Sequence, residues 1–169
     1  LRRYRTVIAM EYSCRAIGVA RTPFTDPAAT PIQAAFSTAR GTVEVSPEYR
    51  DGLSMLVGFS HILLIYRFHR AAAEELAERP LIDGAEPHGI FATRHFNRPN
   101  RLGISVVRLT GIEGGSITIE GVDLLDGTPI LDIKPYIPAF DCIESANSGW
   151  VTPQHVERIQ RQSASFRSG

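Results

Sequence analysis

The stretch EGVDLLDGTPILDIKPY, residues 120–136, decides the fold. Apolar and polar side chains alternate before it and within it, over residues 116–124 and 128–134, which is the period of a half-buried β-strand. The pair Asp126-Gly127 stands between the two segments. An Asp-Gly pair in this position is typical of a tight β-hairpin. The stretch therefore predicts two antiparallel strands joined by that turn, with Asp126 serving the turn rather than catalysis.

Working outward from this stretch, the chain divides into further short segments. Its 11 prolines and 14 glycines favour many short strands over a helical bundle. Residues 71–78 have helix-forming composition and predict one or two helical turns. Thr152-Pro153 resembles a helix start and predicts a C-terminal helix over 153–162. The resulting fold class is mainly β and antiparallel, with short helical turns and a C-terminal helix. Strands are predicted at 15–20, 42–45, 59–69, 89–93 and 103–110, with a long loop at 25–40.

Composition excludes several classes of protein. The chain has 169 residues, 43% of them hydrophobic, and no apolar run approaches the ~20 residues that cross a bilayer. The N-terminus is basic, but its apolar stretch is too short for a signal peptide, which favours a cytoplasmic protein. Cys14 and Cys142 lie far apart without zinc-ligand spacing, so no metal site is expected. We interpret both as buried, reduced thiols.

Charge gives only local support for a nucleic-acid partner. The formal net charge is zero, with 18 basic and 18 acidic residues, whereas nucleic-acid-binding domains are usually basic. Residues 94–101 nevertheless contain three Arg and one His. Contact with RNA would have to come from such a cluster, and a solvated loop is an equally good interpretation of the composition alone. On the predicted strand 59–69, His61, Arg67 and His69 share one face, which is more typical of a cleft wall than of a core.

Two segments resemble a known family. Residues 91–105, FATRHFNRPNRLGIS, and residues 120–136 are similar to the patterns F-A-T-R-S-P-x-R-P-N-P-I-G-L-S and G-V-D-L-L-D-G-T-P-V-L-D-I-K-P-Y of the TsaA-like, TrmO-type family. The resemblance runs from about residue 15 to residue 150. It divides the chain into an N-terminal extension (1–12), the family domain (13–150) and a C-terminal helix and tail (151–169).

This resemblance implies a single-sheeted β-barrel, a homodimer, and a function in tRNA modification. The family methylates N6 of N6-threonylcarbamoyladenosine at position 37, in the anticodon loop, with S-adenosyl-L-methionine as cofactor. The cofactor site of the family maps onto several separated stretches of this chain. Those positions are Ala34, Ala35, Phe36, His69, Arg70, Arg94, Ile104, Glu120, Gly121, Val122 and Asp123.

The chain departs from the family pattern at a few positions. His95-Phe96 replaces Ser-Pro, Arg101 replaces a Pro, and the loop after Gln33 lacks the usual Pro-Gly. These changes leave Arg94, Arg98, Pro99, Asn100 and Gly103 of the motif intact. We therefore expect the fold and the cofactor to be kept, while the substrate depends more on the altered loop.

The chemistry of the cofactor suits Arg94 and Asp123. An Arg pairs with a carboxylate through two parallel hydrogen bonds, which a Lys cannot reproduce. Asp123 falls on the apolar side of its predicted strand, where an unpaired charge costs several kcal/mol. A ribose hydroxyl or the cofactor ammonium would account for it, and so would a bond to turn backbone. The resemblance requires these two side chains to reach one pocket.

Four residues are candidates for catalysis or substrate binding. Arg98 and Asn100 are expected to face the modified base, whose threonyl carboxylate needs a cation; a rigid turn is the structural alternative. Asp132 and Lys134 share a strand face, so they either pair with each other or one of them removes the N6 proton. Two other functions stay open: methylation of a small molecule or another RNA, and a non-catalytic module that binds the cofactor.

Overall fold

The computed structural model of the chain describes residues 10–82 and 86–164. Six of its strands close into one barrel in the order β1-β2-β7-β6-β3-β8, and every neighbouring pair is antiparallel. The prediction of a mainly β, single antiparallel barrel is thereby confirmed. Most of the predicted N-terminal extension lies outside the described residues. The elements are β1 (Gly18–Arg21), β2 (Arg40–Val45), β3 (His61–Arg67), β4 (Ala77–Glu78), β5 (His88–Gly89), β6 (Leu102–Glu113), β7 (Ser116–Glu120), β8 (Pro129–Pro135), α1 (Pro138–Asp141) and α2 (Pro153–Ala164).

The barrel interior is filled by alternate residues of its strands. On β3, Ile62, Leu64 and Tyr66 point inward and are buried, as the alternation predicts. Burying one such aliphatic side chain contributes about 1.5–3 kcal/mol, so the interior as a whole provides most of the stability of the barrel. The other strands contribute Ala20, Val43, Val45, Val107, Leu109, Ile117, Ile119 and Ile130 to the same core.

The predicted hairpin around Asp126-Gly127 is wrong. β7 pairs with β2 and β6, whereas β8 pairs with β1 and β3. The strand ends at Glu120 because Gly121, at φ +86°, turns the chain in a conformation that other residues rarely adopt. The turn itself exists, but it joins the end of β1: Asp126 Oδ1 accepts a hydrogen bond from the Thr22 amide (3.1 Å), and the Gly127 amide donates to Ala20 O (2.9 Å). Asp126 is thus a structural residue, as expected.

The predicted helical turns at 71–78 are also wrong. This segment makes its backbone hydrogen bonds to distant parts of the chain: the Glu75 amide donates to Asn97 O, and Leu76 O accepts from the Ile90 amide, both at 2.9 Å. β4 then pairs with β5. Helix propensity is a weak preference, and tertiary hydrogen bonds override it here.

Other sequence predictions meet mixed outcomes. The strand expected at 89–93 is a two-residue strand followed by a 3-10 turn, Ile90–Ala92. The C-terminal helix is present as α2. Cys14 and Cys142 are both exposed, so the interpretation of buried thiols is wrong.

Within the described ranges, no group of His, Cys, Asp or Glu could hold a metal ion, and no helix is long and apolar enough to cross a membrane.

Candidate functional site

A large cavity opens at one end of the barrel. The register places the ends of β1, β3 and β7 beside the starts of β8, β6 and β2, so the loops at these ends converge. Together they enclose about 990 Å³, at the upper end of the range for small-molecule and cofactor sites. The lining combines apolar and aromatic side chains with a few polar groups. It includes Pro31, Ile32, Gln33, Ile65, Tyr66, Phe68, His69, Arg70, Phe91, Thr93, Arg94, Phe96, Arg98, Leu102, Ile104, Asp123, Leu124, Leu125, Thr128 and Gln162.

Asp123 is the central polar group of this cavity. Its Oδ1 accepts a hydrogen bond from Ser105 Oγ at 2.6 Å, and Ser105 Oγ lies 3.1 Å from Tyr66 Oη. Because the serine hydroxyl donates to the carboxylate, it is left to accept from the tyrosine. This chain of hydrogen bonds fixes the orientation of Asp123. No salt bridge links this carboxylate to a cation among the described residues.

Burial controls the ionisation of the Asp123 and Tyr66 side chains in this hydrogen-bonded series. Desolvation raises the pKa of Asp123 to about 6, although the bond from Ser105, backbone hydrogen bonding at Ala34 and the charge of Arg94 act to lower it. Desolvation, followed by the nearby Asp123 charge, also raises the pKa of Tyr66, so the phenol keeps its proton. The site thus holds one carboxylate that is ionised at neutral pH but poorly solvated.

A glycine allows the tyrosine to reach its place. Gly103 of β6 lies opposite Tyr66 of β3, and a Cβ at Gly103 would come within 2.3 Å of the tyrosine ring and 2.9 Å of Phe68. Any other residue would displace the Tyr66 ring from Ser105. The glycine of the sequence motif therefore has a packing role inside the site.

Arg94 approaches the cavity from another loop. Its Nη1 donates to Gln33 Oε1 at 2.9 Å, which joins the loop after β5 to the loop after β1. Arg94 and Asp123 line the same cavity, as the resemblance requires, and the charge of Arg94 lowers the pKa values of both Asp123 and Tyr66. Arg94 and Asp123 are distant in the sequence, but the fold brings them close enough for the charge of the guanidinium to affect the pKa of the carboxyl group.

Four more of the predicted residues line the cavity. His69 Nδ1 lies 3.4 Å from Thr128 Oγ1, and burial lowers its pKa, so the imidazole is neutral at pH 7. Arg70 Nη1 donates to Thr25 O at 2.7 Å. Arg98 Nη1 donates to Thr93 O at 3.0 Å. Ile104 completes the set as an apolar wall residue.

The remaining predicted residues do not line the cavity. Asp132 and Lys134 form an ion pair at 2.9 Å on the outside of the barrel. Asn100 lies in a turn with a left-handed backbone, at φ +64°. Val122 is in the core, while Gly121 forms the turn that presents Asp123. Ala34, Ala35, Phe36 and Glu120 also lie outside the cavity lining, although the backbone of Ala34 bonds to Asp123.

Sequence reasoning did not select several residues of the site. Alternation alone gives Tyr66 and Ser105 no role beyond strand positions, yet as diagonal neighbours on β3 and β6 they form the hydrogen-bonded chain that supports Asp123. The sequence gives Gln33 no role of its own, although its Oε1 accepts a hydrogen bond from Arg94. Strand register was the missing signal, because only the pairing of β3 with β6 brings these side chains together. Phe91, Thr128, Leu125 and Gln162 also line the cavity.

His95 organises the loop that carries both arginines. Its side chain is buried and stacks on Phe96, with ring centroids 4.2 Å apart. Its Nδ1 accepts a hydrogen bond from the Asn97 amide at 3.2 Å, and its own amide donates to Thr93 Oγ1 at 3.2 Å. Burial lowers the pKa of His95, which keeps Nδ1 available as an acceptor. His95 and Phe96, which replace the Ser-Pro of the family motif, are thus packed together in a hydrogen-bonded loop.

A closed barrel with a cavity of this kind defines a class of β-barrel protein that binds a ligand at its loop end. Comparison with known proteins identifies the class more closely. Residues 19–142 match the family model of the tRNA-methyltransferase O N-terminal domain, TrmO_N. The chain belongs to this family.

Relatives and solved structures agree with the family. A protein of Pyrococcus abyssi named "Probable S-adenosyl-L-methionine-binding protein" is 47% identical over 156 residues, which cover 92% of this chain and 84% of the relative. The crystal structure of TrmO from Pseudomonas aeruginosa superposes with a TM-score of 0.71 at 41% identity, over 83% of this chain and 62% of that one. The human tRNA (adenine(37)-N6)-methyltransferase is 38% identical over 99 residues, 57% of this chain and 22% of the human protein. The chain therefore spans less than two thirds of the length of the last two.

Proposed function

We propose that this chain is an S-adenosyl-L-methionine-dependent methyltransferase that acts on N6 of adenosine 37 in tRNA. The finer substrate that we propose is N6-threonylcarbamoyladenosine. The observation that carries the proposal is the convergence of Arg94 and Asp123 on one cavity in a member of this family. The names of the Pyrococcus abyssi and human relatives support the cofactor and the reaction.

The residues of the cavity fit the cofactor. Asp123 is half-buried beside Ser105 and forms no salt bridge with a cation among the described residues, so a ligand ammonium or ribose hydroxyl would offset part of its desolvation. Arg94 uses Nη1 for Gln33 and has other N–H donors for a carboxylate. The apolar and aromatic walls suit an adenine ring. Donor, acceptor and apolar surface are thus present in the combination that the cofactor needs.

The residues of the chain contribute mainly by positioning. When bound, S-adenosyl-L-methionine supplies an electrophilic methyl group. Asp123 is held by Ser105 and Tyr66, and Arg94 by Gln33, so both are oriented before a ligand arrives. Fixed geometry of this kind supplies a large share of the rate enhancement for a bimolecular transfer.

Arg98 is the residue that we assign to the substrate. It lines the same cavity as Arg94, and its bond to Thr93 O leaves donors for an anion such as a threonyl carboxylate. Phe91, also in the lining, is largely exposed, which suits stacking with an unstacked anticodon-loop base. The cavity therefore offers separate groups to the cofactor and to the RNA.

A transfer assay tests this function. The purified chain is incubated with radiolabelled S-adenosyl-L-methionine and with tRNA from cells that have or lack the threonylcarbamoyl modification. We expect label in the modified pool, lost in Arg98→Ala, and unchanged in a control variant of the outward-facing Lys134, Lys134→Ala. Label in both pools would leave methylation standing and remove the finer substrate. No label in either pool, with S-adenosylhomocysteine still bound, would favour a non-catalytic module.

The exposed face of β6 supports a homodimer. Leu102, Ile104 and Val106 are exposed on the outside of the barrel, next to Leu63 and Ile65 of β3. Exposed apolar patches of this kind often mark protein interfaces. Ile65, Leu102 and Ile104 also border the cavity, so a second copy on this face would extend the cavity wall. Light scattering is expected to give twice the chain mass for the wild type and the single chain mass for Val106→Arg.

A further inference from the structure

We propose that α2 is part of the cofactor site, with Gln162 as a ligand-contacting residue and Trp150 as a positioning residue. This assignment rests on the proposed function, because it adds residues to the same cavity. α2 lies beyond residue 142, where the match to the family model ends. The family domain alone therefore does not account for this side of the cavity.

The packing of α2 fixes its orientation against the barrel loops. Val156, Ile159 and Ser163 share one helix face at spacings of three and four residues. Ile159 is 4% exposed and Ser163 2% exposed. The helix contacts the 3-10 turn Ala34–Phe36, which directly follows Gln33. Gln162 stands beside this buried face and lines the cavity.

Two hydrogen bonds hold the helix and the segment before it. Trp150 Nε1 donates to Ala92 O at 2.8 Å, and its ring meets His88 edge-on at 4.5 Å. Ala92 lies two residues before Arg94. Arg158 Nη1 donates to Ile82 O at 2.9 Å. The helix is therefore attached to the loop that carries Arg94 as well as to the turn beside Gln33.

These contacts give Gln162 and Trp150 different tasks. A carboxamide both donates and accepts hydrogen bonds, so Gln162 suits the polar edge of an adenine or a ribose. Trp150 lies outside the cavity lining and acts on the ligand only through the position of the Ala92–Arg94 segment. Substitution of Gln162 should thus change affinity directly, whereas substitution of Trp150 should change it through Arg94.

Binding of S-adenosylhomocysteine tests the proposal by titration calorimetry on the whole chain. Gln162→Ala is expected to weaken binding about fivefold, which is the effect of one lost hydrogen bond. Arg161→Ala is the matched control, because Arg161 is exposed on α2 and bonds to Glu157; its affinity should stay within a factor of two. Trp150→Phe is expected to weaken wild-type binding about threefold but to have no effect in an Arg94→Ala background.

Trp150 also provides an optical readout, because it is the single Trp of the chain. Its emission should change when S-adenosylhomocysteine binds, in the wild type and in Arg161→Ala alike. Wild-type binding with unaltered affinity in Gln162→Ala would overturn the assignment of α2 and leave the proposed function intact. Failure of the folded wild type to bind would overturn the proposed function and this assignment together.

Discussion

Two aspartates nine positions apart reach opposite environments in this barrel. Asp123 lies in a cavity, bonded to Ser105, and burial raises its pKa to about 6. Asp132 lies on the outer surface, where it pairs with Lys134 at 2.9 Å and its Oδ1 accepts from the Ile133 amide. Both stand in the same sequence motif. Their difference shows that the motif encodes a site and a strand surface together.

The two carboxylates differ in how well their charges are stabilised. That of Asp123 is poorly solvated, whereas that of Asp132 is paired with a cation. A carboxylate without a cation in a cavity gains free energy when a ligand supplies a donor, whereas an exposed, paired carboxylate has little to gain. Perturbed groups in clefts are candidates for function for this reason. The following experiments test whether the two aspartates differ in function as much as they differ in surroundings.

The largest effect is expected from Asp123→Asn. Loss of a charged hydrogen bond to a buried partner costs about 1.5–3 kcal/mol, so affinity for S-adenosylhomocysteine should fall about 10- to 100-fold. Titration calorimetry measures it. Asp132→Asn is the matched control and should bind within a factor of two of the wild type. Equal losses in the two variants would remove the distinction between the aspartates.

The pH dependence of binding should locate the ionisation of Asp123. The bound form requires the carboxylate, whose pKa is raised to about 6 by burial. The dissociation constant should therefore be constant above pH 7 and rise about tenfold per pH unit well below 6. Ser105→Ala removes a bond that lowers this pKa, so its inflection should move to higher pH. A profile that keeps the same inflection in Asp123→Asn would assign it to another group.

A conservative change at Arg94 should have a smaller effect. Arg94→Lys keeps the charge but loses the planar fork that bonds to Gln33 and lines the cavity. We expect about tenfold weaker binding of S-adenosylhomocysteine, measured by the same titration. An unchanged affinity would mean that charge alone is needed at this position.

The sequence carries more of the fold than of the site. Alternation predicted the inward face of β3 because burial enforces that period directly. The partner of β8 could not be predicted in the same way, since the choice between a hairpin and a crossover depends on Gly121 and on the bonds of Asp126 to the β1 loop. Local sequence patterns carry no information about such long-range hydrogen bonds, so they cannot decide between the two connections.

The candidate site, too, could be predicted from the sequence only in part. The resemblance supplied Arg94 and Asp123, which do line one cavity. It gave no role to Tyr66 or Ser105, because their roles depend on register and on the absence of a Cβ at Gly103. The shared strand face of Asp132 and Lys134 left an ion pair and a catalytic role both open, and in the structure they form the ion pair on the outer surface.

Asp123→Asn should increase the stability of the folded protein at neutral pH, although it weakens ligand binding. Because the folded pKa is raised above the unfolded value, the stabilisation from this group is complete below pH 4 and is lost as pH rises through about 6. Asp123→Asn avoids that loss, so its free energy of unfolding at pH 7.5 should exceed that of the wild type by about 1–2 kcal/mol. Urea denaturation at pH 7.5 and pH 4 measures it. An Asn variant that is less stable at pH 7.5 would show that the carboxylate is well stabilised without a ligand.

The smallest effect is expected on the outer surface. The side chains of Lys134 and Asp132 are 60% and 46% exposed, and an exposed pair of this kind contributes less than about 1 kcal/mol. Lys134→Ala should therefore lower the free energy of unfolding by about 0.5 kcal/mol or less and leave methyl transfer unchanged, as read by denaturation and by the transfer assay. A loss of methyl transfer with normal stability would place this pair in the reaction, and the contrast between the two aspartates would then reflect two functional sites rather than one.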